Sequence, residues 1–120
     1  TYIGLDHGDQ VIAYFFLWHL DKSVPVLGIG MLPLYQGRGL GRKFMEILID
    51  DARSLGKEGI QLSTVPTNKR AFALYRRCGF EHYGDIENIA GDGRTVIERG
   101  MFLSLKSGAV PVDSNFKPPK

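Results

Sequence analysis

Two glycine-punctuated segments, about thirty residues apart, constrain this chain of 120 residues more than anything else in it. The first, Gln36-Gly37-Arg38-Gly39-Leu40-Gly41, runs straight into an amphipathic stretch. The second reads Asn68-Lys69-Arg70-Ala71-Phe72-Ala73-Leu74-Tyr75-Arg76-Arg77-Cys78-Gly79-Phe80. A turn of small residues feeding a helix leaves backbone N–H groups unpaired at the positive end of the helix dipole, which makes a natural anion site. The second segment places a phenol, Tyr75, on a further helix, where it can donate a proton. Together they point to transfer of a group from a phosphate-bearing carrier.

The flanking sequence supplies a sheet for these segments. Tyr2 to Leu5 reads as a short strand, followed by a turn at Asp6-His7-Gly8-Asp9. Val11 to Leu20 is apolar, aromatic and β-branched, the pattern of a long central strand. Asp21-Lys22-Ser23 turns the chain into a third strand, Val24 to Leu32, which Pro33 ends. Strands joined by such tight turns form an antiparallel meander. Gly28 and Gly30 are costly inside the third strand unless a bulge or another backbone needs the room. Leu40 to Leu55 repeats apolar residues at helical spacing, with Gly56 as its stop. Ile60 to Val65 is a strand, and Thr67 or Asn68 caps a second helix running to about Arg77. Phe80 to Ile86 and Val96 to Leu105 form a final hairpin. The order β-β-β-α-β-α-β-β gives one α/β domain over residues 1–106: a mixed, mostly antiparallel sheet with an N-terminal β-meander and two main helices. Residues 107–120, Pro-rich and aperiodic, form a tail.

The formal net charge of +2 excludes little, but its distribution is uneven. Residues 38–77 hold nine Lys/Arg against four acids, a local +5, while the remainder nets −3. The positive excess falls on the two glycine-marked segments, as a polyanionic ligand requires. That bias is too modest for a nucleic-acid binder, and the sequence holds no zinc-ligand spacing, so neither nucleic acid nor a metal is expected. The longest apolar run, Val11 to Trp18, is too short to span a bilayer. A lone cysteine, Cys78, precludes an intrachain disulfide, fits a reducing, cytoplasmic setting, and reads as a packed hydrophobe.

The two motifs resemble those of the GNAT superfamily of acyl-CoA-dependent N-acyltransferases. Gln36-x-x-Gly39-x-Gly41 is similar to its pyrophosphate signature, and Asn68-x-x-Ala71-x-x-Leu74-Tyr75-x-x-Cys78-Gly79-Phe80 to a later motif of many members. The resemblance covers roughly Tyr2 to Leu105. It implies that two parallel strands, ending near Met31 and Val65, splay apart to admit acetyl-CoA as co-substrate. Backbone groups of Ile29 and Met31 would pair with the pantetheine arm, and the Met31 amide would face the thioester oxygen. Backbone amides of Gln36, Gly37, Arg38, Gly39, Leu40, Gly41 and Arg42 would hold the pyrophosphate, with charge from Arg38, Arg42 and Lys43, and Asn68 would meet the arm from the other side. Tyr75 would protonate the departing thiolate. The family usually begins with a strand and one or two helices ahead of the meander. Here the meander starts at residue two, so a missing N-terminal part or a partner chain, such as a second copy in a homodimer, is expected to complete the acceptor side.

The implied activity is N-acetyl transfer to an amine-bearing small molecule or a protein terminus, by direct attack on the thioester. The alternative is a non-catalytic acyl-CoA-binding or regulatory module. An alkyl amine is about one part in a thousand free base at neutral pH, so presenting it neutral costs about 4 kcal/mol, which a base, a water chain or a desolvating pocket must offset. Some members carry a glutamate five residues before the motif asparagine; this chain has Ser63 there. Asp6, His7, Asp9, His19 and Asp21, or a water relay, remain as bases, with His19 placed by the strand pattern to line the open end of the sheet.

Overall fold

A computed structural model of the chain describes residues 2–5, 7–89, 91–112 and 116. The strands are β1 (Tyr2–Leu5), β2 (Val11–Trp18), β3 (Val26–Met31), β4 (Gly59–Thr64), β5 (Glu81–Ile89) and β6 (Thr95–Ser104). The helices are α1 (Leu40–Ser54) and α2 (Lys69–Arg77). A 3-10 turn, Pro33–Tyr35, absent from the sequence reading, lies between β3 and α1. The strands form one sheet in the order β1-β2-β3-β4-β6-β5, antiparallel except where β3 meets β4. The expected meander, parallel strand pair and final hairpin are all present. Boundaries moved by a residue or two, except that β5 extends three residues further, to Ile89.

Both helices cover the same face. Met45, Leu48, Ile49 and Ala52 of α1 join Tyr75 of α2, Phe15, Leu27, Ile60, Leu62 and Met101 in one buried cluster. Each fully buried Leu or Met there contributes about 1.5–3 kcal/mol. On the opposite face the strand glycines have a specific use. The rings of Phe16 and Tyr14 lie across Gly28 and Gly30, so close that a Cβ on Gly28 would sit 2.2 Å from Phe16 Cζ. The room these glycines leave is taken by cross-strand aromatic rings rather than by a bulge or another backbone.

The site depends on how β3 and β4 meet. Their only paired residues among those described are Val26 and Gln61, where the Gln61 amide donates to the Pro25 carbonyl at 3.1 Å. Beyond that bridge β4 pairs solely with β6, from Gly59 with Ser104 to Thr64 with Arg99. The two parallel strands thus diverge toward their C-terminal ends, as expected. The closed end of the wedge is locked by Gln61, fully buried, whose Nε2 donates to the Val112 carbonyl and whose Oε1 accepts from the Val112 amide, both at 2.8 Å. The aperiodic segment after residue 106 is therefore anchored on the sheet at Val112. Residues 113–115 and 117–120 of the expected tail lie outside the described residues.

Candidate active site

The open end of the wedge continues into a cleft of about 790 Å³ between β3, the start of α1 and one face of α2. That size falls within the usual range of small-molecule sites. Of the expected ligand-binding residues, Ile29, Met31, Gln36, Gly37, Gly39, Gly41, Arg42 and Asn68 line it, together with Tyr75. Leu40 and Arg38 do not; the Arg38 guanidinium instead lies 5.2 Å from the centre of the Tyr35 ring, which the 3-10 turn places beneath it.

Strand alternation orients the β3 backbone. Gly28 and Gly30 pair with Phe16 and Tyr14 of β2, and Pro25 turns its carbonyl toward β4. The same side of β3 two and three pairs further on belongs to Ile29 and Met31, whose peptide groups face the gap that β4 has left. The Met31 carbonyl is met there by Gln36 Nε2 at 3.1 Å, which ties the glycine turn to the strand end. The Gln36 amide donates to the Pro33 carbonyl, so it is removed from the expected pyrophosphate set.

Gly37 and Gly39 adopt φ of +80° and +81°, a left-handed conformation that side chains strain to reach. Gly39 is the N-cap of α1; no side chain caps the helix, and its first turn holds no acid. The first bond of the helix runs from the Lys43 amide to the Gly39 carbonyl, leaving the amides of Leu40, Gly41 and Arg42 without an intrahelical acceptor at the positive pole. Gly41 has a different task. A Cβ there would lie 3.0 Å from Leu74 Cδ2, so its absence lets α2 pack against the start of α1 and brings both motifs to one cleft.

From α2 and its N-cap the cleft receives Asn68, Lys69, Arg70, Ala71, Ala73, Leu74, Tyr75 and Arg77. Asn68 does cap its helix, Oδ1 accepting from the Ala71 amide at 3.1 Å, and it lines the cleft as well. Lys69, Arg70 and Arg77 were not among the expected residues, although their spacing with Ala73 and Leu74 marks a single helix face. With Arg42 they give the lining four cations and no acid among its described residues. A polyanion finds here both charge and unpaired amides.

Tyr75 is 8 % exposed, and its ring packs 6.3 Å from that of Phe80. Burial, with a smaller contribution from Cys78, pushes its phenol up to about 12. Burial also raises the Cys78 thiol, in keeping with a packed rather than a reactive cysteine. For stability the sign follows directly. The folded state favours the neutral phenol, so the Tyr75 contribution is intact below about pH 10 and declines between 10 and 12, by about 3 kcal/mol in all. Unfolding midpoints measured from pH 9 to 12 are expected to fall more steeply for the native chain than for Tyr75→Phe. Tyr2, raised by its hydrogen bond to Asp51, titrates alike in both proteins and cancels.

The expected bases fare less well. His19 and Asp21 lie in the turn joining β2 to β3, at the closed end where β3 and β4 are bridged, and are removed from the reaction by the length of the strand. His7 and Asp9 belong to the β1–β2 turn, at the open end but beyond β2 and exposed. Asp6 lies outside the described residues. Among those residues no helix is long and apolar enough to cross a membrane.

Residues 1–80 match the Acetyltransferase (GNAT) family. The chain belongs to that family. It is 38% identical over 88 residues to N-alpha-acetyltransferase RimI of Mycobacterium tuberculosis, covering 69% of this chain and 53% of that protein. It is 41% identical over 54 residues to a spermine/spermidine N(1)-acetyltransferase of Bacillus subtilis, covering 44% of this chain and 36% of the relative. Its structure resembles that of yncA from Salmonella typhimurium, solved with its cofactor acetyl-CoA, at a TM-score of 0.71 and 25% identity over 89% of this chain and 65% of that one. The chain thus spans about half the length of RimI, the longer of these two sequence matches.

Proposed function

We propose that this chain binds acetyl-CoA in the wedge between β3 and β4 and transfers the acetyl group to a primary amine by direct attack on the thioester. The observation that carries this reading is convergence: the diverging strands, the uncapped start of α1 and the Asn68–Arg77 face of α2 all border one cationic cleft. The residues fit the carrier. Free amides and cations suit a diphosphate, the peptide groups of Ile29 and Met31 suit an amide-bearing arm, and Tyr75 reaches the cleft where the sulfur would lie.

In this mechanism the Met31 N–H stabilises the oxyanion of the tetrahedral intermediate, a contribution of a few kcal/mol. Tyr75 donates a hydrogen bond to the sulfur as negative charge develops on it. The names of the two relatives specify an α-amine and the N(1) of a polyamine, and a primary amine is the chemistry common to both. A free thiol at Cys78 supports work in a reducing cytoplasm, and exposed Ile3 and Leu5 on the edge strand β1 support pairing with a second copy.

Thermal unfolding with acetyl-CoA, CoA and ATP tests the cofactor reading. At a hundredfold excess over the dissociation constant, CoA species are expected to add about 2.7 kcal/mol, a rise of several degrees in midpoint. ATP should give little. A rise with ATP alone overturns the assignment. Thiol release over an amine panel then separates an enzyme from a binding module: stabilisation without release with any amine favours the latter.

A further inference from the structure

The face of the sheet opposite the helices carries a carboxylate that the proposed chemistry has not used. Met101 and Leu103 of β6 point with Leu62 and Ile60 into the helix-covered core, so Glu98 and Gly100 point the other way with Ser63. Glu98 pairs across the hairpin with Ile86, one position past the Thr64–Arg99 pair that ends β4. It therefore stands at the open end of the wedge, with β4 between it and the gap. It is half-buried, and its Oε1 accepts from Asn88 Nδ2 at 3.0 Å. No cation pairs with it among the described residues; Arg99, its neighbour in sequence, turns to the other face and lies 4.7 Å from the centre of the Phe72 ring. Beside it, the Tyr83 ring lies across Gly100, where a Cβ would sit 2.7 Å from Tyr83 Cζ. A half-desolvated carboxylate fixed by a neutral amide, next to an aromatic ring, is the chemistry that recognises an organic ammonium.

The acetyl carrier occupies the helix side of the wedge, so the amine must approach from this opposite face. Glu98 is displaced sideways from the gap by at least one inter-strand spacing, about 4.8 Å. A carboxylate on β6, with β4 between it and the gap, stands aside from the reacting nitrogen. Its offset suits a second nitrogen of the same acceptor, which keeps its charge throughout. We propose that Glu98, held by Asn88, binds a second, non-reacting ammonium, and that the acceptor is a diamine or polyamine. This rests on the acetyl-transfer reading above.

The test compares acetylation of putrescine with that of butylamine, a chain of equal length lacking the second charge. The native protein is expected to favour putrescine by about tenfold or more in kcat/KM, chiefly through KM. Glu98→Gln is expected to bring that ratio close to one while the KM for acetyl-CoA stays unchanged, and Glu98→Lys to reverse the preference. A native ratio near one overturns the inference whether or not the variants fold. An equal loss on both amines in Glu98→Gln also overturns it, because that is the mark of a structural role. Thiol release with neither amine, nor with any other, overturns the activity reading and this inference with it. Release from butylamine without preference removes the inference alone.

Discussion

Replacing Tyr75 with phenylalanine is expected to lower kcat by about 10- to 100-fold and to change acetyl-CoA affinity less than twofold. The size follows from the buried phenol. Pushed up to about 12, it remains protonated across the whole working pH range. A departing thiolate has an ordinary pKa of about 8.5, so complete proton transfer from Tyr75 would be uphill by roughly 3.5 units, about 5 kcal/mol. This differs from the matched acid and base that unperturbed values suggest. In the proposed mechanism the productive interaction is a hydrogen bond to the sulfur as its charge grows, and such a charge-assisted bond is worth about 1.5–3 kcal/mol, the predicted factor in rate. Phenylalanine keeps the packing against Phe80, so the fold should tolerate the change. Because the phenol does not ionise below about pH 10, no alkaline limb of the kcat profile between pH 7 and 9.5 should disappear in the variant. Unchanged turnover in Tyr75→Phe would remove the hydroxyl from the mechanism.

Local pattern made much of this molecule readable, and register explains what was not. The aromatic β2 run, the 3.6-residue repeat of α1 and a cap at Thr67 or Asn68 are local signals; each element formed within two residues of where the pattern put it, with Asn68 as the cap. The two glycine motifs identified the cleft because each feeds a helix whose start borders it. Features that depend on long-range pairing were invisible. Glu98 and Asn88 meet across a hairpin whose register shifts between His82 and Gly84, so the sequence could not tell which face they share. Gln61 reads as a polar interruption of a strand until Val112, 51 residues away, satisfies both ends of its amide. His19 suggested a base because its neighbours are apolar, yet only the strand order shows that its turn lies at the closed end. Arg38 looked like a phosphate ligand, but the 3-10 turn offered it the face of Tyr35.

Gly28→Ala should be among the most destabilising single-atom-scale changes in the chain, and its cause can be isolated. The added methyl would stand 2.2 Å from Phe16 Cζ and 2.7 Å from both flanking ring atoms. The ring cannot simply swing aside, since Trp18 packs 5.1 Å from it and Tyr14 stacks at 6.3 Å on the other side. Either those stacked contacts are lost or β3 is pushed away from β2, at about 1–3 kcal/mol. Calorimetry should show a midpoint lower by about 5 °C or more, against no significant change for Gly91→Ala, whose added atom meets nothing within 4 Å. Phe16→Ala removes the obstacle, so the double variant should be more stable than the sum of the single losses predicts, by about 1 kcal/mol or more. Strict additivity would show that the ring yields freely and that the glycine is there for another reason. The consequence extends to the site, because Ile29 and Met31 follow on the same strand: if Gly28→Ala displaces β3, the loss of acetyl-CoA affinity must be relieved by the same Phe16→Ala change that restores stability.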